Sequence, residues 1–381
     1  MKVIVMGCGL VGHAIAKKLA GEESFQVTAA DIDPEALNKL KDEARIGAIR
    51  ADLREPQLVA DLIADCELVV SAVPGFMGFE TLARIIEKGK NVVDISFFPE
   101  DAHELDGLAK GLGVTAVVDC GVAPGLCNIL AGHVDTLFER WERYLCYVGG
   151  LPRTRQWPYE YKAVFSPADV LEEYTRPVRV VERGQERVLE PLSGIERVEF
   201  PAVGTLEAFN TDGLRSLVRT LDAPSMREKT LRYPGHADLM RVFLQSGFFS
   251  IEPVEVNETV IRPVALTSKL LFDQWKLHEG EEDLTLMQVV LEGEHKGKRL
   301  RYTYDLFDEF DRETRTTSMA RTTGYTCAIV ARQVARGLFS RPGICPPEYI
   351  GRSEPCFEDL LARYAECNIH INETITELSD A

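Results

Sequence analysis

Over the first 120 residues, short apolar runs alternate with segments of helical pattern. The runs are KVIVMG, FQVTAAD, IGAIRAD, CELVVSAV, NVVDIS and GVTAVVDC, separated by stretches such as AIAKKLA and PEALNKLKDEA. Strands that alternate with helices are joined by crossovers and lie parallel, so the pattern specifies a doubly wound α/β sheet. The runs are continuously apolar, as befits strands covered on both faces. After Cys120 the texture changes. RVVERGQERVL reads as a hairpin around Gly184, and DLTLMQVVLEGEHKGKRLRYTYDLFD as a second, turning through Gly293 to Gly297. These define an inserted α+β domain with a mostly antiparallel sheet. TSMARTTGYTCAIVARQVARGLF is helical again, with Met319, Ile329, Val330, Val334 and Leu338 as its apolar groups, and SRPGICPPE stops it. The expected divisions of the 381 residues are 1–124, 125–312 for substrate binding and dimerisation, and a helical segment 313–381 that returns to the first domain.

The net charge of −17 argues against nucleic acid and anionic membrane as partners, since both need a basic surface. No apolar run approaches the roughly 18 residues of a membrane span. The N-terminus reads as a strand followed by glycines and lacks the pattern of a secretory leader, so a cytoplasmic location is expected. Nine cysteines without a C-x-x-C pair read as reduced thiols, and the seven dispersed histidines give no metal-ligand spacing, so no metal is expected.

The first strand runs into GCGLVG, with Gly7, Gly9 and Gly12 in G-x-G-x-x-G spacing around Leu10 and Val11. Gly7 permits the turn, Gly9 lets the backbone approach a pyrophosphate, and Gly12 allows the helix to pack closely on the strand. The helix N-terminus then offers free N–H groups to the anion. Asp31 ends the second strand, where a carboxylate accepts from the adenosine ribose hydroxyls. It repels a 2′-phosphate, and no arginine follows in DIDPEA, so the expected cofactor is NAD. Asp52 and Leu53 are placed near the adenine edge, and Ala72, Val73 and Pro74 on the loop flanking the cofactor. Cys120 is placed beside them as a packed residue. His13 is read as a helix-surface residue.

The chemistry is expected beyond the carboxyl ends of the fifth and sixth strands, where Asp94 and Asp119 are candidate acids or bases. In the second domain AFNTDGLRSL gathers Asn210, Asp212 and Arg215, and KTLRYPGHADL gathers Arg232 and Tyr233. Arginine forks match a carboxylate and an aspartate matches an ammonium, so together they could grip an amino acid.

The stretches GCGLVGHAIAKKL, DCGVAPGL, YVGGLP, FSPADVLEEYTRPVRVV, LEAFNTDGLRSL, REKTLRYPGHADLM and MARTTGYTCAIVA resemble the saccharopine dehydrogenase family, in order and over nearly the whole chain. Within it they are most similar to the L-lysine 6-dehydrogenase branch. The resemblance implies a dimeric enzyme with a Rossmann domain and an inserted substrate domain. It also implies NAD-dependent oxidation at a C–N bond of an amino acid, with the ε-amine of lysine first, and Arg232 on the substrate carboxylate. A saccharopine or carboxynorspermidine-type dehydrogenase is the alternative within enzymes. A non-catalytic NAD-sensing protein is the alternative outside them.

Overall fold

The computed structural model describes residues 1–278 and 280–379. The chain begins β1 (Lys2–Met6), α1 (Leu10–Ala20), β2 (Gln26–Asp31), α2 (Pro34–Asn38), β3 (Ile46–Arg50), α3 (Pro56–Ile63), β4 (Leu68–Ser71), α4 (Gly75–Glu87), β5 (Asn91–Asp94), α5 (Asp106–Leu112), β6 (Thr115–Val117) and α6 (Leu126–Asp135). It continues with β7 (Arg140–Pro152), α7 (Pro167–Thr175), β8 (Val178–Glu182), β9 (Gln185–Leu189), β10 (Glu196–Phe200), β11 (Gly204–Asn210), α8 (Leu217–Thr220), β12 (Ser225–Arg232) and α9 (His236–Gln245). Next come β13 (Val254–Val256), β14 (Thr259–Ile261), α10 (Pro263–Trp275), β15 (Asp283–His295) and β16 (Lys298–Glu309). The last elements are α11 (Ser318–Ala335), β17 (Gly343–Cys345), α12 (Glu348–Gly351), α13 (Glu354–Glu366) and β18 (Ile371–Glu377).

Two compact units result. The first comprises Met1–Leu137 and Ala320–His370, the second Phe138–Met319 and the segment from Ile371 onward. The boundaries therefore fall later than the sequence-based 124/125 and 312/313. Helix α6 stays with the first unit because Gly132 and Gly351 bring it against α12; a Cβ on Gly132 would sit 2.1 Å from the Glu348 carbonyl oxygen.

The first unit carries a parallel sheet in the order β17-β6-β5-β4-β1-β2-β3. All six expected strands are present, and the doubly wound reading holds. The seventh, β17, adds to β6 from sequence that read only as a stop. The central strand β4 is buried along its whole length, whereas β3, at the edge, is exposed over four of its five residues. The strand order reverses between β1 and β4, and this is where the fold opens a crevice for a ligand. Helix α11 packs on α1 through Gly324, which faces the Val11 carbonyl and Ile15.

The second unit is built on a mixed sheet in the order β10-β11-β12-β7-β15-β16-β18, with β8 and β9 branching from β12. Both expected hairpins form, β8/β9 and β15/β16. The C-terminal residues expected as part of a helical segment instead form β18 along β16. Among the described residues no helix is long and apolar enough to cross a membrane.

Candidate functional site

In the first unit the glycine loop has the shape of a dinucleotide cradle. Gly7 has φ 92°, and an added Cβ would lie 2.4 Å from the Ala72 carbonyl oxygen. A Cβ on Gly12 would lie 2.0 Å from the Gly7 carbonyl oxygen. Gly9 differs: its φ is −64°, and nothing lies within 4 Å of where its Cβ would be. Two glycines are thus needed to close the loop and one leaves space beside the α1 N-terminus, which fits a pyrophosphate. Gly9→Ala is accordingly expected to keep the thermal midpoint of the wild type while weakening dinucleotide binding roughly tenfold or more. Gly12→Ala should lower the midpoint itself. Titration with the dinucleotide and thermal unfolding separate the two effects.

Asp31 accepts from the Cys8 amide at 2.5 Å and the Asp33 amide at 2.8 Å, which fixes its carboxylate at the loop. Arg50 stands opposite it in the β2/β3 register and donates from Nε to the Ile32 carbonyl at 3.3 Å. The sequence shows no arginine after Asp31, yet strand pairing supplies one from 19 positions downstream. Other expected cofactor contacts divide. Leu10, the first residue of α1, is exposed, Val11 is half-buried, and Pro74 precedes α4 on the exposed loop. Val73 and Leu53 are buried in the core of the sheet, so Leu53 packs inward and does not face the adenine edge. Asp52 forms an ion pair with Arg54, at 2.8 Å to Nε and 2.6 Å to a terminal nitrogen, which holds its carboxyl at about 2. His13 is half-buried and not a surface residue, and burial lowers its pKa.

The ends of β5 and β6 present a different environment. Asp94 is fully buried. It accepts from the Ser96 hydroxyl at 2.8 Å and the Ser96 amide at 3.1 Å, and Ser71 lies 3.4 Å from the Ser96 hydroxyl. Burial raises its carboxyl to about 7 against these bonds, with the Asp119 charge adding to the rise. A carboxyl placed there can take or give a proton near neutrality. Gly78 of α4 makes room for this arrangement, since a Cβ would meet Ser96 and Phe98 at 2.7 Å. Asp119 is buried with φ 53°, a left-handed turn that aspartate tolerates better than most residues. Cys120 donates its amide to the Asp94 carbonyl at 2.9 Å, and burial pushes its thiol up, consistent with a packed side chain.

In the second unit Arg232 ends β12 with 1% exposure. Its guanidinium pairs with Glu173 of α7 and donates to the Tyr174 hydroxyl at 3.2 Å and the Leu231 carbonyl at 2.9 Å. It lies over the Tyr161 ring at 4.5 Å. The Tyr174 hydroxyl is 2.9 Å from His236 Nε2, and His236 Nδ1 is 2.7 Å from the Tyr159 carbonyl. Burial, with Arg232 adding, lowers His236 to about 3, so its ring is neutral. Two polar atoms in this cluster have no partner, the Tyr161 hydroxyl and Trp275 Nε1. Buried polar groups are almost always bonded, so these two atoms are exceptions within the cluster.

The other expected substrate residues are held elsewhere. Both oxygens of Asp212 are taken by Arg179, at 2.8 and 3.1 Å, and its backbone amide adds a third bond at 3.2 Å. Asp212 is therefore committed to a structural pair and does not offer a free carboxylate to an ammonium. Asn210 is buried against Ser193, with its amide nitrogen 3.2 Å from the Ser193 hydroxyl. Arg215 is half-buried with φ 48°. Tyr233 donates to the Pro152 carbonyl at 3.0 Å under Arg155. Glu173, Tyr174, Tyr161 and Trp275 were not singled out by the sequence as site residues. The first two lie in FSPADVLEEYTRPVRVV, where the resemblance was strong but no residue stood out.

A parallel sheet of this order with a glycine cradle and a carboxylate closing the second strand defines a dinucleotide-binding α/β protein. The chain belongs to the saccharopine dehydrogenase family: residues 3–117 match the saccharopine dehydrogenase NADP binding domain and residues 121–366 the saccharopine dehydrogenase C-terminal domain. It is 22% identical over 460 aligned positions to a saccharopine dehydrogenase [NADP(+), L-glutamate-forming] of Schizosaccharomyces pombe, covering 98% of this chain and 99% of that one. It is also 24% identical to the mitochondrial alpha-aminoadipic semialdehyde synthase of Bos taurus, of which it spans only 28%. The apo saccharopine dehydrogenase (L-Glu forming) of Saccharomyces cerevisiae shares the fold, with a TM-score of 0.80 at 18% identity over 98% of this chain and 99% of that one.

Proposed function

We propose that the chain is an NAD-dependent dehydrogenase that oxidises a C–N bond of an amino acid, with the ε-amine of L-lysine as its substrate group. The observation that carries this reading is Asp94, a buried carboxyl poised near neutrality at the carboxyl end of the dinucleotide-binding sheet. Amine oxidation needs a neutral nitrogen, and a group that titrates near 7 can take the ammonium proton. Gly7, Gly9, Gly12 and Asp31 would hold the dinucleotide, which supplies the hydride acceptor. With the proton on Asp94, the carbon next to nitrogen loses hydride and becomes an imine, which water opens to release ammonium or which cyclises.

Within the second unit, Arg232 and Glu173 carry the opposite charges that match the carboxylate and ammonium of an amino acid, with the Tyr161 hydroxyl and Trp275 Nε1 as further donors. This set suits a single zwitterionic head. Saccharopine, with three carboxylates, calls for more cations than the one guanidinium of this cluster, which favours lysine. Asp31 favours NAD, while Arg50 beside it is the group through which a 2′-phosphate would be tolerated. Supplying L-lysine, saccharopine and a carboxylated polyamine in turn, each with NAD and with NADP, tests the reading. Reduced nicotinamide should form fastest with lysine and NAD. Turnover confined to saccharopine would move the chain to the other reading of its family, and none with any amine would contradict an enzyme of this class.

A further inference from the structure

A carboxyl buried without donors stays protonated, because burial penalises its charge. To take a proton from an amine, Asp94 has to be ionised. A cation beside it would favour that form too strongly for a base: Asp52, held by the Arg54 guanidinium, lies at about 2. The donors around Asp94 are uncharged instead. The Ser96 hydroxyl and the Ser96 amide each bind one carboxylate oxygen, at 2.8 and 3.1 Å. Ser71 ends β4 as Asp94 ends β5, and strand register sets the two residues side by side. The Ser71 hydroxyl lies 3.4 Å from that of Ser96. Both serines are buried, so a bond lost there is not readily replaced by bulk water. Gly78 of α4 fixes the place of Ser96, since a Cβ on it would come within 2.7 Å of the Ser96 Cβ and 3.3 Å of its hydroxyl oxygen.

We infer that Ser71 and Ser96 are positioning residues for the amine oxidation, a pair of uncharged donors that steadies the carboxylate form of Asp94 so that it can take the substrate's proton. The inference rests on Asp94 as the proton acceptor. The balance of forces on this carboxyl agrees with it. Burial raises it most, the Ser71 and Ser96 hydroxyls and the Ser96 amide lower it, and the Asp119 charge after β6 raises it. The other titratable groups that feel its charge are the thiols of Cys120 and of Cys327 in α11, and burial keeps both protonated. Hydroxyl donors offset part of the burial penalty and add no charge, which leaves Asp94 near neutrality rather than far above or far below it.

Ser71→Ala and Ser96→Ala each delete one oxygen and change the buried volume little, so either variant serves alone. Two readouts on the full chain test the inference. The first is the titration of the Asp94 carboxyl, read from the carbon-13 shift of labelled aspartate and assigned with Asp94→Asn. Losing a donor to the charged form moves it upward from about 7, by about one to two pH units for one hydrogen bond to a charged group. The second is the pH profile of kcat/KM with the amino acid. Its rising limb should move up with the carboxyl, so the rate near pH 6 falls about tenfold or more and recovers toward the wild-type value at high pH. A serine that only packs would lower the rate alike at every pH and leave the carboxyl titration where it is, and that result overturns the inference. A carboxyl titration that moves while the rate profile stays in place overturns it as well, by removing Asp94 as the proton acceptor. The two readouts thus tell a failure of the serines from a failure of Asp94.

Discussion

Asp94→Asn is expected to lower the rate of amine oxidation by about 10²–10⁴-fold, the usual contribution of a positioned acid or base. Dinucleotide affinity should stay at the wild-type value, because the glycine cradle and Asp31 are untouched. The wild-type kcat/KM should rise with pH through about 7, as Asp94 ionises, and then level off. The variant should lose that limb. Stability should move the other way. The folded-state value of this carboxyl is raised above the roughly 3.9 of an unfolded aspartate, so the fold favours its protonated form. Ionising it costs the wild type stability as pH rises from about 4 to about 7, and that cost persists above 7. Asparagine carries no such charge, so thermal unfolding at pH 8 should find the variant at least as stable as the wild type. A variant with lost activity and a lower midpoint at pH 8 would make Asp94 a structural residue.

The second large effect is expected at Arg232. Arg232→Lys keeps a cation in the cluster and removes the planar fork. Hydrogen bonds to charged groups contribute about 1.5–3 kcal/mol, so KM for the amino acid should rise about 10–150-fold with kcat little changed. Arg232→Ala leaves Glu173 largely buried without its partner, and the fold should lose about 3–5 kcal/mol. The split between KM and kcat in the lysine variant separates substrate binding from packing. If Arg232 only braces α7 against β12, the lysine variant lowers the thermal midpoint and leaves KM for the amino acid unchanged.

Local order carried much of the fold into the sequence. Six parallel strands, the two hairpins and the glycine loop each rest on spacings within a few residues, and they were legible. Strand β17 was not, because Gly343–Cys345 sits between prolines that read as a stop and is a strand only by pairing with β6. Strand β18 was missed for a similar reason. INETITE is almost wholly exposed, so it lacks the buried face that marks a strand by pattern. At the candidate site the division is the same. Gly7, Gly9, Gly12 and Asp31 are read from spacing. Arg50 meets Asp31 only through strand register. Asp212 looked available because Arg179, which occupies it, lies 33 positions away on β8. Glu173 and Tyr161 reach Arg232 only once α7 and the loop before it have packed, and no periodicity announces that. Asp94 was legible as a position at a strand end. Its raised pKa was not, because burial by the rest of the sheet causes it.

Oxidative removal of an amine from an amino acid releases one ammonium for each hydride transferred. It is tested most directly by counting ammonium and reduced nicotinamide in one reaction with L-lysine and NAD. Equal amounts of the two are expected, with both rates lowered together by Asp94→Asn. Reduced nicotinamide without ammonium, or no reduction with lysine under conditions where the protein binds NAD, would contradict it.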